Sequence, residues 1–353
     1  MEPPFITLIV VSKNRKNFLV EAVRSALNQT LDKSLYEIIV VQNPGDRELE
    51  RFLLEMGVNV INVEHKSTGF KVSEALNLSH GEVISFLEDD DLFEETKLQE
   101  IYDLFQDPNV GYVHNNNTAI DSSGKILPGF KKGNFGKSVQ VESSQARHKF
   151  SMLMRHSIDF NISSISVRKS ILENTVQYWK RMTATSDTFL FYSAIVSGKT
   201  IVASSRPLTR YRIHANSLTN YLGEFKGFTE KRASLLRKLI NDYRIIMGMI
   251  SGTGYEKFLK KIITQKILSA GIFENSKSYN LRIRDYFSIF RPFSIREAFG
   301  YDLFLLIASF FSKFRRPYVI RAAYSHYVRE MREIFSTKGQ AKSTEPGSES
   351  FIR

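Results

Sequence analysis

At 353 residues the chain exceeds the usual size of one hydrophobic core, so a catalytic unit with a substantial appendage is expected. Its 42% hydrophobic and 24% charged residues suit a folded protein, and the absence of cysteine excludes disulfides, thiolate metal sites and cysteine nucleophiles. A net charge of +12 asks for an anionic partner, whether a phosphorylated substrate, nucleic acid or an acidic lipid surface.

Met1 to Pro4 lead straight into an apolar run from Phe5, with no charged stretch before it and no small-residue cleavage site, so a cytoplasmic chain is expected. The apolar runs Ile6–Val11, Ile38–Val41, Val58–Val63 and Val83–Leu87 lack polar alternation, which predicts strands buried on both faces. Between the first two, Phe18, Leu19, Ala22, Val23, Ala26 and Leu27 recur at helical spacing, and Arg47–Met56 and Lys71–Ser79 read as further helices. This alternation predicts an α/β fold with a doubly wound, mostly parallel sheet flanked by helices, in which ligands bind beyond the carboxyl ends of strands. The polar clusters Ser12–Arg15, Gln42–Asp46 and Glu88–Asp91 all fall at such ends.

Gly111 to Lys125 reads as a strand and turn, closed by Asp121-Ser-Ser-Gly124. Beyond Gly227 the spacing is helical, as in Leu235, Leu236, Leu239, Ile240 and later Ile262, Ile263, Ile267, Leu268. A boundary near Tyr221–Phe228 divides the chain into a catalytic domain over 1–222, a mainly α-helical C-terminal region over 223–335 and a polar, disordered tail over 336–353.

The strongest chemical feature is Glu88-Asp-Asp-Asp91 at the end of a buried strand. Four adjacent carboxylates repel one another and need a cation, and hard oxygen ligands in that number suit Mg²⁺ or Mn²⁺ completed by phosphate oxygens. The alternative is an acidic start to a helix over Leu92–Phe105, which accounts for one such residue but not four.

Taken in order, Ile6-Thr-Leu-Ile-Val-Val-Ser-Lys-Asn-Arg15, Ser25 with Gln29-Thr30, Tyr36-Glu-Ile-Ile-Val-Val41, Ala75-Leu-Asn77 before Gly81, the acidic cluster, Ser186-Asp187 and Tyr211-Arg-Ile-His214 form a pattern over about Phe5–Leu218. The chain resembles family 2 glycosyltransferases, inverting enzymes of the nucleotide-sugar-binding GT-A fold. The resemblance implies a donor site drawing on Ser12, Asn14, Arg15, Gln42, Asn43, Lys71, Asn77, Glu88, Asp89 and Arg212, and a metal site of Asp90, Asp91 and His214. Glu88 stands where the family's DxD motif usually begins with Asp, and Gln42 where an Asp usually reads the base, so the nucleotide need not be uridine diphosphate. Asp187 resembles the catalytic base that deprotonates the acceptor hydroxyl, and the apolar run Thr188–Val196 after it would tune its basicity by desolvation. The competing reading of Asp187 is a helix cap.

From Lys277 to Arg332 basic residues outnumber acids and alternate with aromatics, including Phe310 and Phe311 beside Arg315 and Arg316. That composition suits either an interfacial helix on the inner face of the cell membrane, reaching a lipid-linked acceptor, or a packed helical region with a basic wet face. No nucleic-acid motif accompanies the charge, so no nucleic-acid partner is expected. Leu303–Phe311 is only about half the length that spans a bilayer, and no transmembrane helix is expected.

The activity expected from these parts is transfer from a nucleotide-diphosphate sugar to a glycan or lipid-linked acceptor, with a divalent ion on the leaving diphosphate and inversion by in-line displacement. Two rivals remain: a sugar nucleotidyltransferase, which lacks its Gly-rich basic loop here, and a non-catalytic membrane-associated scaffold with a degenerate transferase domain.

Overall fold

Every residue of Ile6–Val11 is buried, and this run forms the central strand β1. The computed structural model describes residues 2–13, 15–65, 67–214, 225–274, 307 and 317–334. After β1 come α1 (Lys16–Leu27), β2 (Tyr36–Gln42), α2 (Arg47–Glu55), β3 (Asn59–Asn62), α3 (Thr68–Leu78) and β4 (Val83–Glu88). These are the strands and helices that the apolar runs and spacings predict. They pair in parallel in the order β3-β2-β1-β4, with Val11 opposite both Val41 and Glu88. Side chains alternate between two cores, Ile9, Val11, Ile39 and Phe86 on one face and Leu8, Val10, Ile38 and Leu87 on the other. Entry into β4 needs Gly81: a Cβ there would lie 2.4 Å from the Thr7 nitrogen, and the Gly81 N–H donates to Thr7 Oγ1 at 2.9 Å.

The second half of the sheet is mixed. It comprises β5 (Leu92–Phe93), β6 (Val110–Ile120), β7 (Val139–Val141), β8 (Ile165–Arg168) and β9 (Thr200–Arg212), interleaved with α4 (Lys97–Phe105), α5 (Ser143–Arg155), α6 (Lys169–Glu173), α7 (Val176–Trp179) and α8 (Ser186–Val196). The order continues β4-β8-β6-β9-β5, with β7 also on β9; β6 and β9 run parallel, while β8, β5 and β7 pair antiparallel. The parallel order read from the sequence therefore holds for four strands and gives way where short strands fold back. Leu92 and Phe93 also differ from the expected helix. They pair with Arg210 and Thr209 in β5, and the helix begins only at Lys97. At α8, Phe189 to Tyr192 are all fully buried, as befits a helix apolar on every side.

From Phe225 onward the described chain is mainly helical, with α9 (Phe225–Met249) followed by α10 (Glu256–Phe273) after a short turn that contains Gly252 and Gly254 at positive φ. Tyr243, Ile245, Ile246, Ile250 and Leu259 share the core of α8 and β6, so these helices pack onto the sheet layer. A last helix over 317–334 places Ile320, Tyr324 and Tyr327 against Phe228 and Phe273. That stretch of the basic, aromatic region is packed against protein. Lys277, Arg284, Phe310, Phe311, Arg315 and Arg316, on which the interfacial expectation rests, lie outside the described residues, as does the tail over 336–353. No helix of the described residues is long and apolar enough to cross a membrane.

Candidate functional site

The parallel register sets the carboxyl ends of β1 and β4 side by side, and the Lys13 N–H donates to Asp89 Oδ2 at 2.6 Å across them. Arg15 then enters the acidic cluster: Nε donates to Asp89 Oδ1 at 3.0 Å, Nη2 bonds the same oxygen, and Nη1 bonds Asp90 Oδ2. Lys13 Nζ pairs with Glu88. Beneath the loop the fully buried Lys97 donates to Asn115 Oδ1 at 2.8 Å, to the Ser163 carbonyl at 2.5 Å and to Thr209 Oγ1 at 3.0 Å. The chain itself thus brings cations to the carboxylates that the sequence leaves bare.

Environment separates the three aspartates. Burial raises the Asp89 carboxyl even though Arg15 favours its ionised form. Burial also opposes ionisation at Asp90, but the His214 hydrogen bond and the charges of Arg15 and Lys13 outweigh it and hold that carboxyl below the ordinary range. Asp91, more deeply buried and repelled by Asp90 and Glu88, lies well above it.

β9 brings the other half. His214 Nε2 stands 2.9 Å from both Asp90 Oδ2 and Arg15 Nη1, and Asp90 Oδ1 is buried with no hydrogen-bond partner. Asp90 and His214 are therefore a carboxylate and an imidazole in direct hydrogen-bond contact beside the Arg15 guanidinium. Asp91 is used differently, since its Oδ1 accepts the Arg212 N–H at 2.9 Å. Among the described residues no group of three or more His, Asp or Glu side chains converges as a metal site, unlike the expected set of Asp90, Asp91 and His214.

Arg212, expected at the donor, is 2% exposed. Its guanidinium donates to the Asp90 carbonyl at 2.7 Å, the Ser122 carbonyl at 3.0 Å and Glu21 at 2.7 Å, and lies over the Phe18 ring. It ties β9 to the acidic loop and α1. Lys71 Nζ reaches Asn43 Oδ1 at 2.6 Å, Gln42 donates to Asn62 at 3.2 Å, and the Ser12 N–H bonds the Val41 carbonyl, so the ends of β1, β2 and α3 meet as expected. Asn77 is exposed on α3 away from the cleft, and Asn14 lies outside the described residues.

A cleft runs past this cluster, and Lys13, Arg15, Glu88, Asp90 and Asp187 all line it. Asp187 sits in the first turn of α8, where Thr185 is the capping position; its Oδ1 accepts the Thr188 N–H at 2.8 Å. Burial, reinforced by the neighbouring Asp159 charge, pushes the Asp187 carboxyl up to about 7. A carboxylate poised there can take a proton near neutrality. Sequence reasoning missed the cleft wall made by Phe160 and Asn161, gave Tyr211 no role of its own within its motif, and missed Asp159. Asn161 is a non-glycine residue at φ 63°, held by its side chain accepting the Ser163 N–H at 3.1 Å, a local strain that no spacing announces.

Residues 7–167 match the family described as Glycosyl transferase family 2. This part of the chain is a family 2 glycosyltransferase domain. The transferase domain is similar to poly(ribitol-phosphate) beta-N-acetylglucosaminyltransferase TarP of Staphylococcus aureus, 24% identical over 147 residues, which are 39% of this chain and 45% of that one. The putative glycosyltransferase EpsH of Bacillus subtilis is 22% identical over 237 residues, 62% of this chain and 63% of that protein. The chain covers between 20% and 63% of the length of these and two other curated relatives, both named as uncharacterized glycosyltransferases. In fold it is similar to Staphylococcus aureus TarS 1-349, solved in complex with UDP-GlcNAc, at a TM-score of 0.53, 12% identity and coverage of 92% and 91% of the two chains. The transferase domain thus has the GT-A architecture, continued by helices.

Proposed function

We propose that this protein is an inverting glycosyltransferase that moves a sugar from a nucleotide-diphosphate sugar to a glycan or lipid-linked acceptor. The observation that carries the reading is that Asp90, hydrogen-bonded to His214 behind it, and Asp187 line one cleft: a carboxylate–imidazole pair that suits a cation and a carboxylate poised near pH 7 stand where a donor and an acceptor could lie together. The relatives point the same way, since TarP is named as a sugar transferase and TarS was solved with a nucleotide sugar.

Asp90 and His214 fit a divalent ion, because Asp90 Oδ1 is buried without a partner and an oxygen with an imidazole nitrogen suits Mn²⁺ better than Mg²⁺. Such an ion would supply charge to the leaving diphosphate. Lys13 and Arg15, at the same cleft, add cationic donors for phosphate oxygens. Lys71, Gln42 and Asn43, where β1, β2 and α3 meet, suit the nucleoside. Asp187 takes the proton of the attacking hydroxyl, so no enzyme nucleophile is needed. The basic stretch over 277–316 fits peripheral contact with an acidic cytoplasmic membrane face.

Release of nucleoside diphosphate from a panel of nucleotide sugars, with Mn²⁺ or with EDTA, tests the reading. Turnover of one donor that EDTA abolishes is expected. Release of pyrophosphate from a sugar phosphate and nucleoside triphosphate would replace this reading by a nucleotidyltransferase, and silence on every donor by a scaffold.

A further inference from the structure

Asp242 lies on α9, beyond the residues that match the transferase family, and is 0% exposed. Its carboxylate is not spent on packing within its own helix. It reaches the turn before α8, where Oδ2 accepts the N–H groups of Thr183 at 3.0 Å, Ala184 at 2.7 Å and Thr185 at 3.1 Å. Thr183 Oγ1 donates to Oδ1 at 3.1 Å and Thr185 Oγ1 to Oδ2 at 3.3 Å. Three successive backbone amides and two hydroxyls, 57 to 59 positions away, converge on one buried carboxylate.

Such a concavity of amides selects an anion, and a buried carboxylate is tolerable only when its lone pairs are filled in this way. The α8 start has no cap of its own, since Thr185 makes no side-chain capping bond. From another helix, Asp242 takes the Thr185 N–H at the capping position and the two N–H groups before it. Two residues after the clamped turn comes Asp187, and Thr183, Ala184, Ser186 and Asp187 all line the cleft.

We propose that Asp242 is a positioning residue for sugar transfer: by clamping Thr183–Thr185 it fixes where the Asp187 carboxylate stands in the cleft, against Asp159. This rests on Asp187 being the acceptor's base. The helical region then completes the active site, and acceptor chemistry depends on α9 while donor binding does not. The charged and titratable groups around Asp187 are Asp159, Lys132 over the Phe160 ring, Glu88 in the cleft, and the Tyr112 and Tyr243 phenols, whose ionisation its charge opposes. Loosening the turn leaves all of these in place while the Asp187 carboxylate shifts among them.

The test compares full-length Asp242→Asn with wild type and with Asp187→Asn. An Asn at 242 can keep its oxygen on the three amides, but it turns an NH₂ toward Thr183 and removes the charge, which weakens the clamp. Turnover at saturating acceptor is expected to fall about tenfold or more, and the acidic limb of kcat against pH to move below 7 as the Asp187 carboxylate drifts from Asp159. Affinity for nucleoside diphosphate should stay within about twofold. Unchanged turnover and an unchanged limb would overturn the proposal, as would loss of nucleotide affinity in step with turnover, which would put the turn in the donor site. Should Asp242→Asn not fold, Thr183→Val with Thr185→Val removes two donors and keeps the charge. A smaller shift of limb and turnover in the same sense is then expected, and no shift overturns the proposal. If Asp187→Asn itself keeps wild-type turnover, the reading of the base fails, whichever way Asp242→Asn behaves.

Discussion

Asp90 Oδ2 stands 2.9 Å from His214 Nε2, joining the end of β4 to a residue just past β9, 124 positions later. Asp90→Asn removes the anionic member of this pair and His214→Ala the nitrogen. Each is expected to abolish metal-stimulated transfer and to weaken nucleoside-diphosphate binding with Mn²⁺ far more than without it, as titration calorimetry would read. Equal loss in EDTA would mean that the pair serves Arg15 and not an ion.

Asp187→Asn is expected to lower turnover by about 10² or more with little change in nucleotide affinity, since a general base acts on the acceptor. In the wild type, turnover should rise with pH through a limb near 7, where burial and Asp159 place this carboxyl, and level off above it. A limb near pH 4 would assign the base to another group.

The same shift has a sign in stability. The folded state binds the Asp187 proton more tightly than the unfolded chain does, so its contribution is complete below the ordinary carboxyl range and is lost as pH rises through about 7. Asp187→Asn, which cannot ionise, should therefore raise the thermal midpoint relative to wild type at pH 8 and change it little at pH 4. Scanning calorimetry at the two pH values checks this.

Arg212→Ala removes one buried guanidinium and leaves the Asp90 and Ser122 carbonyls and Glu21 without their donor. A loss of ~3 kcal/mol of stability is expected, visible in denaturant unfolding. Because the acidic loop loses a brace, nucleotide affinity should fall too; an intact midpoint with weakened binding would instead make Arg212 a donor ligand.

For the basic stretch over 277–316, purified protein is expected to sediment with vesicles containing acidic lipid, and Arg315→Glu with Arg316→Glu to reduce that binding while donor hydrolysis in solution is unchanged. Sedimentation equal on neutral vesicles, or none on acidic ones, would count against membrane contact.

The strands β1, β2 and β4 and the clustering of their carboxyl ends were legible because buried parallel strands are continuous apolar runs and loops after them are polar, whereas β3, Asn59-Val-Ile-Asn62 at the sheet edge, is only half-buried or exposed and not covered on both faces as expected. Arg212 was read as a ligand because its neighbours Tyr211 and His214 form a motif, whereas its burial depends on Phe18 and Glu21, nearly 200 positions away. Lys97 and Asp242 carried no signal at all. Each is a single charge inside a helical pattern, indistinguishable by spacing from a wet face, and each is buried only because of what the fold places opposite it. Leu92 and Phe93 read as the start of a helix because their partners in β9 lie more than 100 positions onward.

The parallel pairing of β6 with β9 joins positions 110–120 to 200–212, and through it His214 reaches Asp90. Contacts so distant along the chain close late, because loop entropy must be lost before they form. As the chain leaves the ribosome, β1 and β4 can pair well before β9 exists, with Asp91 still lacking the backbone donor that Arg212 provides. The cleft is thus assembled last, and a chain halted before α9 would hold a nearly complete sheet with an unfinished site.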